Sequence, residues 1–205
     1  MPYLSTYKGR PPLSLTLGSE NVPLWQMAQG YNTVANGGVY HPMDSVLAIS
    51  DANGHPLYTY KTPPGARVLP PQYAYIVESI MKDNSARVAA FNQGSALQLG
   101  PDALFSTNVP AAVKTGTTQD FRDNLTIGFT PNLLTATWVG NPDNTPMNQI
   151  EGVTGAGPIW HDTMEWTLKD LHLPIETFTI PPGIVLARVS SGATGSMGSP
   201  PYLAD

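Results

Sequence analysis

The stretch Ala111-Ala112-Val113-Lys114-Thr115-Gly116-Thr117-Thr118 decides how this chain is read. Three apolar residues place it in a packed strand. Within the next five positions come a point charge, three hydroxyls and a residue with no side chain. Glycine weakens a strand, so inside one it marks a place where a ligand or another backbone comes close. A lysine among hydroxyls can hold a carboxylate and assist proton transfer. After a polar crossing from Gln119 to Asp123, Leu125, Ile127 and Phe129 alternate with Thr126, Gly128 and Thr130, which predicts a second strand. Pro131-Asn132 supplies a turn, and Leu133 to Gly140, rich in Thr, Val and Trp, predicts a third. Three strands joined by short turns read as an antiparallel meander that begins with the Lys-Thr-Gly strand.

Upstream, residues 23 to 36 read as an amphipathic helix. Pro23 suits the first turn, Leu24, Met27, Ala28, Tyr31 and Ala35 share a face, and Asn36-Gly37-Gly38 ends it. Val46 and Ala48, the turn Asp51-Ala52-Asn53-Gly54, and Leu57, Thr59 and Lys61 predict a hairpin. A second helix starts at Pro70-Pro71, with Tyr73, Ile76, Val77, Ile80 and Met81 at helical spacing. Residues 83 to 108 are loop-rich, with a short helix near Ala86 to Phe91. Beyond the meander, Asn141 to Gly157 is a loop, and Pro158 opens a helix with Trp160, Met164, Leu168 and Leu171 on one face. Phe178 to Val189 reads as a short extended segment. The expected class is α/β of the α+β type, an antiparallel sheet packed with helices. The expected organisation is one domain over 1–189 and a disordered Ser/Gly/Pro tail over 190–205, which has too little apolar surface to offset the cost of ordering.

Composition narrows the function. A net charge of −5 and the lack of any Lys/Arg run argue against a nucleic-acid partner. With no cysteine there are neither disulfides nor thiolate metal sites. His41, His55, His161 and His172 show no ligand-like spacing, so no metal or other cofactor is expected. No apolar run approaches the roughly 20 residues of a membrane-spanning helix. The 19 Gly and 21 Pro imply many turns and loops.

Lys114-Thr115-Gly116-Thr117-Thr118 resembles the Lys-Thr-Gly motif of penicillin-binding proteins and serine β-lactamases. The flanks narrow the resemblance to the transpeptidase domain of class A, bifunctional penicillin-binding proteins. Asp123-Asn-Leu-Thr-Ile-Gly-Phe-Thr-Pro131 and Thr137-Trp-Val-Gly-Asn141 are similar to their strand pair after the motif, and Gly155-Ala-Gly-Pro-Ile-Trp-His161 to the start of their last helix. Leu15 to Ser19, Met27 to Gly38, and Phe178 to Val185 resemble further segments in the same order. The likeness runs over about residues 13 to 189.

In that family a Ser-x-x-Lys motif supplies the acylated serine and its lysine, Ser-x-Asn supplies proton relay and substrate contacts, and Lys-Thr-Gly binds the donor peptide. The resemblance therefore implies Lys114 as a catalytic residue that stabilises acyl transfer and anchors a carboxylate. It implies Thr115, Gly116, Thr117 and Thr118 as substrate-binding, Thr117 through the carboxylate. Ser5-Thr6-Tyr7-Lys8 and Ser19-Glu20-Asn21 imitate the other two motifs. Gly9-Arg10-Pro11-Pro12 cannot continue a helix after Lys8, and the 14-position step from Ser5 to Ser19 is too short for the helical subdomain that separates the motifs in the family. Both are read as coincidental. Arg122 and Asp123 read as a solvated turn, and Trp138, Trp160 and Trp166 as packing rather than a sugar platform. Asn124-Leu125-Thr126, though it fits a glycosylation sequon, falls inside a strand.

The expectation is thus an incomplete transpeptidase fold, lacking the N-terminal strands and the nucleophile helix, from a peptidoglycan D,D-transpeptidase fused to a glycosyltransferase. Expected partners are the stem peptide and β-lactams in the parent, and the missing N-terminal transpeptidase part. The expected location is the outer face of the bacterial cell membrane, with the parent anchored and this chain soluble and inactive by itself. The rival readings are a degenerate, non-catalytic wall-binding or scaffold module, and a compact hydrolase that uses Ser5.

Overall fold

The computed structural model describes residues 13–187 and 201–203. Its helices are α1 (Leu24–Ala35), α2 (Pro71–Lys82), α3 (Asn84–Phe91) and α4 (Ala156–Asp170). Its strands are β1 (Val39–Tyr40), β2 (Ala48–Ser50), β3 (Pro56–Thr59), β4 (Ala66–Arg67), β5 (Ala112–Thr117), β6 (Asp123–Phe129), β7 (Leu134–Gly140), β8 (Ile184–Leu186) and β9 (Pro201–Leu203). The mixed helix and antiparallel-sheet architecture is the one expected. Ser5 and Lys8, and most of the segment from 190 onward, lie outside the described residues. Pro201–Leu203 is described, and it pairs antiparallel with β8.

The central sheet has the order β5-β6-β7. Lys114 lies opposite Ile127, Gly116 opposite Leu125, and Leu125 in turn opposite Trp138. Alternation along β5 sends Ala112, Lys114 and Gly116 to one face and Val113, Thr115 and Thr117 to the other. Helix α4 packs on β6 and β7, while α1 meets the same two strands and α2 meets β5. The apolar core joins Leu97, Leu99, Val109, Ala111 and Val113 to Trp160, Met164 and Leu168 of α4. Gly128 is required by this packing: a Cβ there would meet Trp160 Cζ2 at 2.5 Å and Ala112 O at 2.9 Å.

Two helices bury other residues than their apolar periodicity predicts. On α1 the buried stripe is Gln26, Ala28, Gln29 and Thr33. Its polar members are tolerated because Gln29 Nε2 donates to His41 O (2.7 Å) and Thr33 Oγ1 to Gln29 O (2.9 Å). On α2, Tyr73, Val77 and Ile80 are exposed, and Ala74, Tyr75 and Glu78 are buried. Burial pushes the Glu78 carboxyl up to about 7, against the opposing pull of Lys82, whose Nζ lies 3.5 Å away. Lys82 also sits over the rings of Tyr75 (4.8 Å) and Phe178 (5.3 Å), and Phe178 meets Phe129 edge-on. This knot, rather than the aliphatic stripe, orients α2. No described helix is long and apolar enough to cross a membrane.

Candidate functional site

The Lys-Thr-Gly segment occupies β5 up to the turn into β6. That turn closes with Thr118 N donating to Asp123 O (3.0 Å) and Asp123 N donating to Thr118 Oγ1 (2.8 Å). Trp138 Nε1 donates to the carboxylate oxygen Asp123 Oδ1 (2.9 Å), so Asp123 is a structural pin of the hairpin. With Thr118 and Asp123 hydrogen-bonded across the turn, the antiparallel alternation makes Gly116, Lys114 and Ala112 the residues bonded to β6. The backbone groups of Val113, Thr115 and Thr117 then face the opposite edge, where no described strand pairs with β5.

Two cations tend that edge. Arg87 Nη1 donates to Val113 O (3.3 Å) and to Met81 O at the end of α2 (2.6 Å). Burial holds the Arg87 guanidinium below its ordinary value. Lys114 is exposed, and its Nζ donates to Thr115 O (2.6 Å). With these carbonyls occupied, the Thr115 and Thr117 N–H groups remain as donors along the edge. Beside its N-terminal end lies a cavity of about 190 Å³ lined by Lys82, Asn84, Arg87, Gln98 and Asn108.

The other face is clasped by the loop before α4. Gly152 N donates to Thr117 Oγ1 (2.9 Å), Thr126 Oγ1 to Gly152 O (3.1 Å), and Asn124 Nδ2 to Ile150 O (2.8 Å). A Cβ on Gly152 would lie 2.7 Å from Gly116 O and 3.0 Å from Leu125 O, so only glycine fits against the strand. Thr117 accepts from this loop and keeps its own hydroxyl proton free for a ligand. Gly116 is the converse case. A Cβ there would meet only the Leu125 side chain, at 3.6 Å, and its φ is ordinary. Nothing in the fold requires glycine at 116, and the open space above it adjoins Lys114.

The five predicted site residues are therefore contiguous along one strand end, with Lys114 and Gly116 on one face and Thr115 and Thr117 on the other. Thr118 is drawn into the turn through Asp123 (3.0 Å). Ser19 and Asn21 are exposed in the coil ahead of α1. The fold also brings out two patterns that linear reading passed over, Ser79-Ile80-Met81-Lys82 on α2 and Ser106-Thr107-Asn108 ahead of β5. Lys82 is turned to Glu78 and the two rings, and no described hydrogen bond joins it to Ser79. Asn108 Oδ1 accepts from Gln98 Nε2 (2.9 Å). Both patterns thus have the residues of an acylation site but not its hydrogen bonds.

The family model described as the penicillin-binding protein transpeptidase domain matches residues 12–164. Penicillin-binding protein 1A of Mycobacterium tuberculosis is 33% identical over 176 residues, which is 79% of this chain and 20% of that protein. Penicillin-binding protein 1B of Vibrio cholerae is 30% identical over 166 residues, 80% of this chain and 20% of that one. The chain thus spans about a fifth of the length of these relatives (20% in each). Among solved structures, PonA1 of Mycobacterium tuberculosis in complex with penicillin V superposes with a TM-score of 0.69 at 30% identity, over 85% of this chain and 45% of that one. Penicillin-binding protein 1A from Haemophilus influenzae shares the fold, with a TM-score of 0.72 at 22% identity over 93% of this chain and 33% of that one.

Proposed function

The chain belongs to the penicillin-binding protein transpeptidase family, and from that premise we propose that β5 is the substrate-binding wall of a peptidoglycan D,D-transpeptidase site. The parent protein is of the class A, bifunctional kind, acting at the outer face of the cell membrane. The observation that carries the reading is Gly116. It is a glycine the fold does not need, beside an exposed lysine, on a strand whose outer edge keeps N–H donors.

In the reaction, a serine oxygen attacks the carbonyl of the donor peptide and forms an ester as the terminal amino acid leaves. An amine of a second stem peptide then displaces the serine. An extended donor peptide adds to the open edge of β5 by main-chain hydrogen bonding. Lys114 sets a positive charge against its carboxylate from one face of the strand, and the Thr117 hydroxyl offers a donor at the strand end from the other. An N–H at the edge supports the negative charge that develops on the attacked oxygen. The absence of a bulky side chain at Gly116 lets the peptide lie close.

The nucleophile is a separate matter. Ser79 is not hydrogen-bonded to Lys82, and Lys8 precedes a sequence that cannot continue a helix. The 205-residue chain therefore supplies a wall and does not acylate by itself. Intact-mass analysis after exposure to penicillin tests this. The expected result is an unmodified chain, and a penicilloyl adduct mapped to Ser5 or Ser79 would overturn it.

A further inference from the structure

On the open edge of β5 the outward backbone groups belong to Val113, Thr115 and Thr117. An added strand can pair along 113–117, or along 115–117 alone. One side chain decides between the two. Arg87 of α3 reaches the edge, and its Nη1 donates to Val113 O (3.3 Å) and to Met81 O at the end of α2 (2.6 Å). Resting on the reading of β5 as a substrate wall, we propose that Arg87 is the stop of that wall. It ends strand addition at Thr115, and so makes the site take the C-terminal end of a peptide rather than an internal stretch.

The stop has a direction. Lys114 is exposed, lies between Val113 and Thr115, and sets its charge against the peptide carboxylate. The peptide's C-terminus therefore points toward Val113, and the added strand runs antiparallel to β5. A chain that continued past the residue opposite Thr115 would next need Val113 O as an acceptor, and that oxygen already accepts from Arg87. A chain that ends there needs no such bond. Its terminal carboxylate meets the guanidinium as a second positive charge rather than as a barrier.

Arg87 is held in this position and keeps its charge available. Nη2 donates to Asn84 Oδ1 (3.4 Å), and the bond to Met81 O ties the side chain to α2, which itself packs on β5. Swinging away would take a donor from Met81 O and Val113 O together. Asp83 supports the guanidinium charge from a distance, but its Oδ1 accepts from Ser85 Oγ (2.5 Å) and Ala86 N (3.1 Å) instead. Arg87 Nε is buried and has no acceptor among the described residues. The guanidinium thus blocks a carbonyl without being neutralised by a hydrogen-bonded carboxylate.

Two peptides are compared by calorimetric titration of the full chain, one ending in D-Ala-D-Ala with a free carboxylate and one continuing two glycines beyond it. The unmodified chain is expected to prefer the first. Arg87→Ala is expected to shrink that preference at least about fivefold, which is what one backbone group left unpaired is worth. Any preference due to Lys114 is present in both proteins and cancels in the comparison. Arg87→Lys, which keeps a cationic donor, should retain most of the preference. A role confined to holding α2 on β5 would lower Tm in Arg87→Ala without changing the ratio. Equal affinity of the two peptides for the unmodified chain, which needs no variant, would overturn the stop and leave the wall in place. So would a preference that Arg87→Ala keeps in full. If neither peptide binds either protein, the wall and the stop fall together.

Discussion

Gly152 and Gly116 face each other across the Lys-Thr-Gly strand, and replacing each with alanine separates what the fold needs from what a ligand needs. In Gly152→Ala the new Cβ would lie 2.7 Å from Gly116 O, 3.0 Å from Leu125 O and 3.2 Å from Thr115 Cβ. Two of those neighbours are backbone and cannot swing aside, so the loop must lift from the strand. Lifting strains or breaks the bonds from Gly152 N to Thr117 Oγ1 (2.9 Å) and from Thr126 Oγ1 to Gly152 O (3.1 Å). Overpacking costs about 1–3 kcal/mol and the loss of one of these two hydrogen bonds about 1 kcal/mol, so a total near 2–4 kcal/mol is expected. For a domain of this size that lowers Tm by roughly 4–16 °C. In Gly116→Ala the only contact is an ordinary one, 3.6 Å to Leu125 Cβ. There the loss of backbone freedom in the unfolded chain leaves stability unchanged or raises it by up to about 1 kcal/mol. Thermal unfolding followed by circular dichroism reads both. An unchanged Tm in Gly152→Ala, or a loss in Gly116→Ala as large as that at Gly152, would mean that the Gly152 loop does not seat on β5 in this way.

Trp160→Ala removes a fully buried indole that packs on Gly128, and a loss of about 3–5 kcal/mol in urea unfolding is expected; a loss under 1 kcal/mol would mean that α4 does not organise the sheet. Glu78 sets a pH dependence. Its folded pKa, about 7, lies above the ordinary 4.5, so the folded state holds the proton more tightly than the unfolded chain. The stability that it contributes is complete below about pH 4.5 and is lost as pH rises through about 7, a change on the order of 3 kcal/mol. Tm measured across that window should fall in the unmodified chain, and Glu78→Gln should flatten the slope; an equal slope in both would assign the dependence elsewhere.

The central sheet was readable because its signals are local. Alternation along Leu125 to Thr130 and the Pro131-Asn132 turn predict β6 and β7 to within two residues of Asp123–Phe129 and Leu134–Gly140. Pro and Gly punctuation likewise predicts a helix over 23–36, where α1 runs Leu24–Ala35, and a second starting at Pro70-Pro71, where α2 begins at Pro71. Helix faces were less readable. Periodicity names an apolar stripe without naming what it packs on, and on α2 the cluster of Glu78, Lys82, Tyr75 and Phe178 turns that stripe outward. The clasp at Gly152 was not visible either, because its partner Thr117 is 35 residues away. A loop glycine among other loop glycines carries no sign of such a contact. At the site itself, residue types in β5 were legible, but which backbone groups face the open edge follows only from the hydrogen bond that closes the turn.

The claim that β5 is a substrate-binding wall is tested most directly by nitrogen-15 NMR of the chain titrated with a peptide ending in D-Ala-D-Ala. Saturable shifts of the Thr115, Gly116 and Thr117 amides, lost in Lys114→Ala, are expected. Shifts absent from β5, or shifts there that persist unchanged without the lysine, would contradict it.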